Sequence, residues 1–141
     1  MPESVEVRRD QGLIEIRSWG VVTREDLEAT LQSLLKALRE SGFSHVLIDG
    51  REQLSLPDTV DTFEYGERAA VVLAGRGLRI AAVPSDAARE KASFLENVAF
   101  NRGLALRLFP TLEAALSWLL VSQRRAEDPG SPRTNSGASG G

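Results

Sequence analysis

The side chains best suited to chemistry gather around one short stretch. Asp49 and Arg51, a carboxylate and a guanidinium two positions apart, follow the apolar run Val46-Leu47-Ile48. Such a couple can serve as an acid–base group beside an anion clamp. It can equally close on itself as an ion pair, or leave Asp49 to bond loop amides. His45, the single histidine, stands four positions before Asp49. Along an extended strand the two lie about 13 Å apart, beyond hydrogen-bonding reach. A histidine oriented by that acid for work on a nucleophile is therefore not indicated, and His45 reads as a surface or strand-end residue. Ser55, Ser85 and Thr111 offer hydroxyls near turns and helix starts, where capping is their ordinary work. The reading yields no catalytic residue, no metal ligand and no cofactor. It leaves Asp49, Arg51, Ser55, Ser85 and Thr111 as a candidate set for binding a ligand or a partner.

Two further clusters fail on context. Asp58, Asp61 and Glu64 share one side of a helix and could attract a cation, but acidic residues in first turns complement the helix dipole anyway. Gly75-Arg76-Gly77 precedes a strand, whereas a dinucleotide-binding glycine loop follows one. Composition removes other classes. The 141 residues carry a formal charge of -3, with 17 basic and 20 acidic side chains. Nucleic-acid binders usually present a basic face that displaces phosphate counterions, so no nucleic-acid partner is expected. Cysteine is absent, which excludes disulfides and thiolate metal sites and suits a reducing, cytoplasmic setting. The acidic, alternating start at Glu3-Ser4-Val5-Glu6 lacks the form of a secretory signal. No apolar run approaches the length of a membrane span.

The elements that must position Asp49 and Arg51 follow from periodicity. Val5-Glu6-Val7-Arg8 alternates like a half-buried strand, Asp10-Gln11-Gly12 supplies a turn, and Leu13 to Trp19 returns antiparallel. Ile14 and Ile16 share one face of that strand; Leu13, Glu15, Arg17 and Trp19 share the other, which should be partly solvated. Thr23 caps a first helix with Leu27, Leu31, Leu34, Leu35 and Leu38 on its apolar stripe, and Gly42 ends it. His45 to Asp49 reads as a central strand covered on both sides. Gly50 to Pro57 reads as a loop.

Pro57 starts a second helix, whose buried side is expected at Val60, Phe63, Ala70, Val71 and Ala74. Leu78 to Val83 forms a strand. A third helix after Pro84-Ser85 faces Phe94, Leu95, Val98 and Ala99 inward. Ala105 to Phe109 is the last strand. Thr111 then caps a fourth helix bearing Leu112, Ala115, Leu116 and Leu119. Trp19 should pack in the core or at an edge. Trp118 falls off the stripe of its helix and is expected to cover a groove or a subunit contact.

The order β-β-α-β-α-β-α-β-α specifies an α/β domain with a mixed, mostly parallel five-stranded sheet, an N-terminal antiparallel hairpin and about four helices. This domain is expected over residues 1–122. Residues 123–141 contain no Leu, Ile, Val or aromatic side chain and are rich in Gly, Ser and Pro. Such a segment cannot offset a backbone ordering cost of roughly 1–2 kcal/mol per residue, and a disordered tail is expected there.

With this order in place, Trp19-Gly20-Val21-Val22-Thr23-Arg24-Glu25-Asp26-Leu27, Val46-Leu47-Ile48-Asp49 and Arg79-Ile80-Ala81-Ala82-Val83 resemble STAS or SpoIIAA-like families. Arg102 to Phe109 and Glu113 to Leu119 extend the resemblance over most of residues 12–121. It rests on the order and spacing of the pieces, since none is specific alone. The resemblance implies a non-enzymatic module. Classical members are anti-sigma factor antagonists that bind a partner kinase and are switched by phosphorylation of a serine two positions after an aspartate. Here that position is Arg51, which has no hydroxyl to accept that phosphate as a serine does; Ser55 and Thr59 are the nearby hydroxyls. The expectation is a binding or regulatory module working through loops at the carboxyl ends of the strands, with a protein partner or small ligand. Two alternatives stand beside it: an apolar small molecule or lipid held between sheet and helices, and an enzyme using Asp49 and Arg51. The unpaired hairpin edge also admits a homodimer.

Overall fold

In the computed structural model, which describes residues 3–127, the alternating N-terminal run forms β1 (Glu3–Arg8) and pairs antiparallel with β2 (Leu13–Val21). Gly12 turns the hairpin at φ 66°, a left-handed conformation that favours glycine. Thr23 caps α1 (Arg24–Ser41) through a reciprocal box in which its hydroxyl accepts from the Asp26 amide and Asp26 accepts from the Thr23 amide. Gly42 closes that helix at φ 74°. The remaining elements are β3 (His45–Ser55), α2 (Thr59–Leu73), β4 (Arg79–Pro84), α3 (Arg89–Asn101), β5 (Ala105–Leu108) and α4 (Leu112–Glu127). The sheet order is β1-β2-β3-β4-β5, with every pair after the first parallel. The expected α/β architecture is the one observed. Among the described residues no helix is long and apolar enough to cross a membrane.

Strand alternation divides the side chains between two cores. Ile14, Ile16, Val46 and Ile80 face α1, α2 and α3. Leu13, Leu47, Ala81 and Val83 face α4, where they meet Ala115 and Leu119. Leu13 is therefore fully buried, although its strand face was expected to be partly solvated; the expectation holds further along, at Arg17 and Trp19. α4 continues past residue 122, and its Gln123 amide donates to the carbonyls of Gln11 (3.0 Å) and Gly12 (2.8 Å). Gln123 thereby fixes α4 to the hairpin turn. The rest of the expected tail, 128–141, lies outside the described residues.

Several expectations are corrected. Gly50 to Ser55 is strand, not loop: after β4 ends at the Gly50–Pro84 pair, β3 runs on beside the end of β2, pairing Glu52 with Trp19 and Ser55 with Val21. On α2 the phase differs. Its buried side is Thr62, Gly66, Ala69, Ala70 and Leu73, whereas Val60, Phe63 and Val71 are exposed. Small residues let α2 approach its neighbours, so side-chain size misidentified the inner face. Phe63 instead stacks obliquely on Phe94 of α3, ring centroids 5.7 Å apart, and Phe94 faces outward with it. His45 begins β3 as expected but is buried, its Nδ1 3.3 Å from the Ser44 hydroxyl. Trp118 lies against Phe109 and beneath the guanidinium groups of Arg79 and Arg107, so its indole face is occupied by cation–π contacts within its own chain.

Candidate functional site

The register sets one row of side chains across the sheet. Ser4 of β1 pairs with Arg17 of β2, which pairs with Asp49 of β3. The next row inward along the same face is Glu6, Glu15 and Leu47. α4 covers this face only at the end nearer the hairpin turn, through Leu13, Leu47, Ala115 and Leu119. The other end is left as a polar recess of about 390 Å³, lined by Ser4, Arg17, Ser18, Trp19, Asp49, Arg51 and Glu52.

A bulge shapes its far wall. Between the Arg17–Asp49 and Trp19–Glu52 pairs, β2 advances two residues while β3 advances three. An extra residue in one strand breaks the strict alternation. Arg51 and Glu52 consequently both line the recess, while Gln53 turns to the helix side and donates to the Ser18 hydroxyl at 3.0 Å. Without the bulge one of these charged residues would point into the core.

Asp49 is buried and receives three bonds from Arg51: the backbone amide at 3.3 Å, Nε at 2.9 Å and Nη2 at 3.0 Å. Burial by itself raises a carboxyl's affinity for its proton. Here the forked guanidinium, the Arg51 amide, and the charges of Arg51 and Arg17 outweigh that effect and hold Asp49 below its ordinary pKa. The same pairing raises Arg51. Asp49 is thus a fixed anion that orients Arg51, whose side chain remains half exposed. Arg17 is exposed on the same row, and Trp19 adds a partly exposed ring. The end of the β2–β3 ribbon carries two more exposed apolar residues, Val21 and Leu54.

Of the five residues expected to form a binding set, the recess joins Asp49 and Arg51 and leaves out the other three. Ser55 closes β3, its carbonyl accepting from the Val22 amide at 3.0 Å. The Ser85 hydroxyl accepts from the Ala88 amide at 3.1 Å, and that of Thr111 from the Ala114 amide at 3.1 Å, both as local caps. Asp58 likewise caps α2, while Asp61 and Glu64 bind Arg24 from α1 at 3.2 and 2.7 Å. Among the described residues no group of three or more His, Cys, Asp or Glu side chains could hold a metal. Ser4, Arg17, Ser18, Trp19 and Glu52 are the recess residues that sequence reasoning missed as binding residues. Ser4 and Arg17 were reachable by extending the hairpin register outward from Gly12; the bulge that adds Glu52 had no local signal.

No family model and no curated protein matches the chain. Several solved structures are similar to it, among them the following two. One is an uncharacterised protein of the DUF3478 family with a SpoIIAA-like fold, from Shewanella loihica PV-4. It is 22% identical, covers 83% of this chain and 93% of its own, and has a TM-score of 0.54. The other is the anti-sigma factor antagonist SpoIIAA in its unphosphorylated form, 13% identical, with 87% and 97% covered and a TM-score of 0.55. The chain has a STAS/SpoIIAA-like fold.

Proposed function

We propose that this protein is a non-enzymatic binding or regulatory module that docks a protein partner on the recess and the protruding β2–β3 ribbon beside it. The observation that carries this reading is the juxtaposition of Arg51, oriented by buried Asp49, with the exposed Trp19 ring. Arginine and tryptophan are enriched among residues that dominate binding energy, and an arginine already held in place loses less freedom on docking. The similarity to an anti-sigma factor antagonist supports a regulatory role. By the resemblance, Arg51 stands where classical members carry the phosphorylatable serine, and it has no hydroxyl to serve that serine switch. The enzyme alternative is disfavoured, because an Asp49 held ionised below its ordinary pKa is a weak general base near neutrality. A cytoplasmic setting accords with the cysteine-free sequence.

The test uses the full chain immobilised as bait in extract of its source organism, comparing natural protein with Trp19→Ala, Arg51→Glu and, as a control on a distant helix, Phe100→Ser. A partner retained by the natural chain and by Phe100→Ser, but lost from the other two, supports the assignment. Equal retention by all four removes the recess as the docking surface. β1 is also the terminal strand of the sheet, so a second copy of the chain is an eligible partner; light scattering at high concentration separates that case by doubled mass.

A further inference from the structure

The helix side of the sheet borders a second, partly open space, separate from the recess. It has a volume of about 150 Å³ and lies between the strands and α1, α2 and α3. Its apolar walls include Ile16, Leu31, Ile48, Ala69, Ile80 and Ala99. The space exists because small residues face inward from several elements at once: Gly66, Ala69 and Ala70 of α2, Ala82 of β4, and Ala92 and Ala99 of α3. Close packing normally leaves little apolar space of this size unfilled, which makes this pocket eligible for a ligand.

One end of the cavity is polar. Glu3 lines it, more than nine-tenths buried, and its Oε1 accepts from the Thr30 hydroxyl at 2.5 Å. Ser18, its partner across the β1–β2 ladder, also bonds to the Glu3 carboxyl and receives Gln53 at 3.0 Å. Among the described residues Glu3 makes no ion pair, and its side-chain partners there are the hydroxyls of Thr30 and Ser18. A carboxyl buried with neutral donors alone costs free energy, and its retention calls for a physical reason. Burial raises its pKa, with bonds from Thr30 and Ser18 opposing and the charge of Asp26 adding to the rise.

From the cavity's size and this single polar end, we propose that the space is a binding site for a small molecule of about one ring bearing one hydroxyl, which is received by Glu3. A dry apolar cavity of about 150 Å³ accepts benzene. That volume admits a monocyclic alcohol or phenol and is too small for a whole lipid. The expected sheet–helix ligand site is thereby narrowed to a compact amphipathic molecule, independent of whatever docks at the recess.

The experiment titrates the full chain with phenol and, separately, with benzene, following side-chain methyl resonances. Saturable shifts confined to Ile16, Ile48, Ala69 and Ile80 are expected, with phenol about fivefold tighter, as one additional hydrogen bond gives. Glu3→Leu should abolish the preference for phenol, and Ala69→Leu, which fills the space, should abolish binding of both. Absence of saturable shifts in the natural chain, shifts mapping elsewhere, or equal affinity for phenol and benzene overturns the proposal. The mapping needs no variant, so it decides the matter even if a substitution prevents folding.

Discussion

Replacing Arg51 with alanine isolates the interaction at the centre of the recess. The substitution removes two side-chain bonds, at 2.9 and 3.0 Å, from a carboxylate that is itself buried. A hydrogen bond involving a charged group is worth about 1.5–3 kcal/mol. Because the Arg51 side chain is half exposed and partly screened by water, the loss should fall at the low end, about 1.5 kcal/mol. With a urea slope of 1–3 kcal/mol per molar, typical of small proteins, the unfolding midpoint should drop by about 1 M at pH 7. Asp49 has a lower pKa folded than unfolded, so its contribution is present above the unfolded value of 3.8 and disappears as pH falls through the folded value. In an Asp49→Asn background, Arg51→Ala should therefore cost less than about 0.5 kcal/mol, the size of an ordinary surface change. An equal penalty in both backgrounds, measured by urea unfolding monitored with circular dichroism, would refute the claim that Asp49 holds Arg51.

Three other outcomes are expected. Glu3→Gln should stabilise the chain at neutral pH, because the folded protein holds the Glu3 proton more tightly than the unfolded one. The penalty is absent below the unfolded value of 4.5 and complete above the folded pKa, so thermal melts of the two proteins should converge on acidification. Leu119→Ala, which hollows the fully buried contact between α4 and the sheet, should cost about 2–5 kcal/mol by urea unfolding. On α2, Val71→Lys should change stability by less than about 0.5 kcal/mol, whereas Ala70→Lys, one position away and buried, should prevent folding as judged by proton NMR dispersion.

Local signals carried much of this molecule. Thr23 and Gly42 announced both ends of α1 because capping needs only neighbouring atoms. Alternation located the hairpin, and the order of strands and helices led to a parallel sheet with crossover helices and to the family resemblance. Asp49 and Arg51 were legible because they are two residues apart on one strand and close on each other. What no local pattern carried was the relation between distant segments. β3 outruns β4 because the end of β2 is there to pair with it, which turned an expected loop into a ribbon. The bulge opposite Trp19 sends Glu52 into the recess and Gln53 into the core, a choice made by cross-strand register. α2 buries Gly66, Ala69 and Ala70 instead of its valines because helix approach, not side-chain size, sets the contact. The space that remains around those small residues, and the burial of Glu3 at its end, depend on three helices and five strands meeting, which only the packed chain decides.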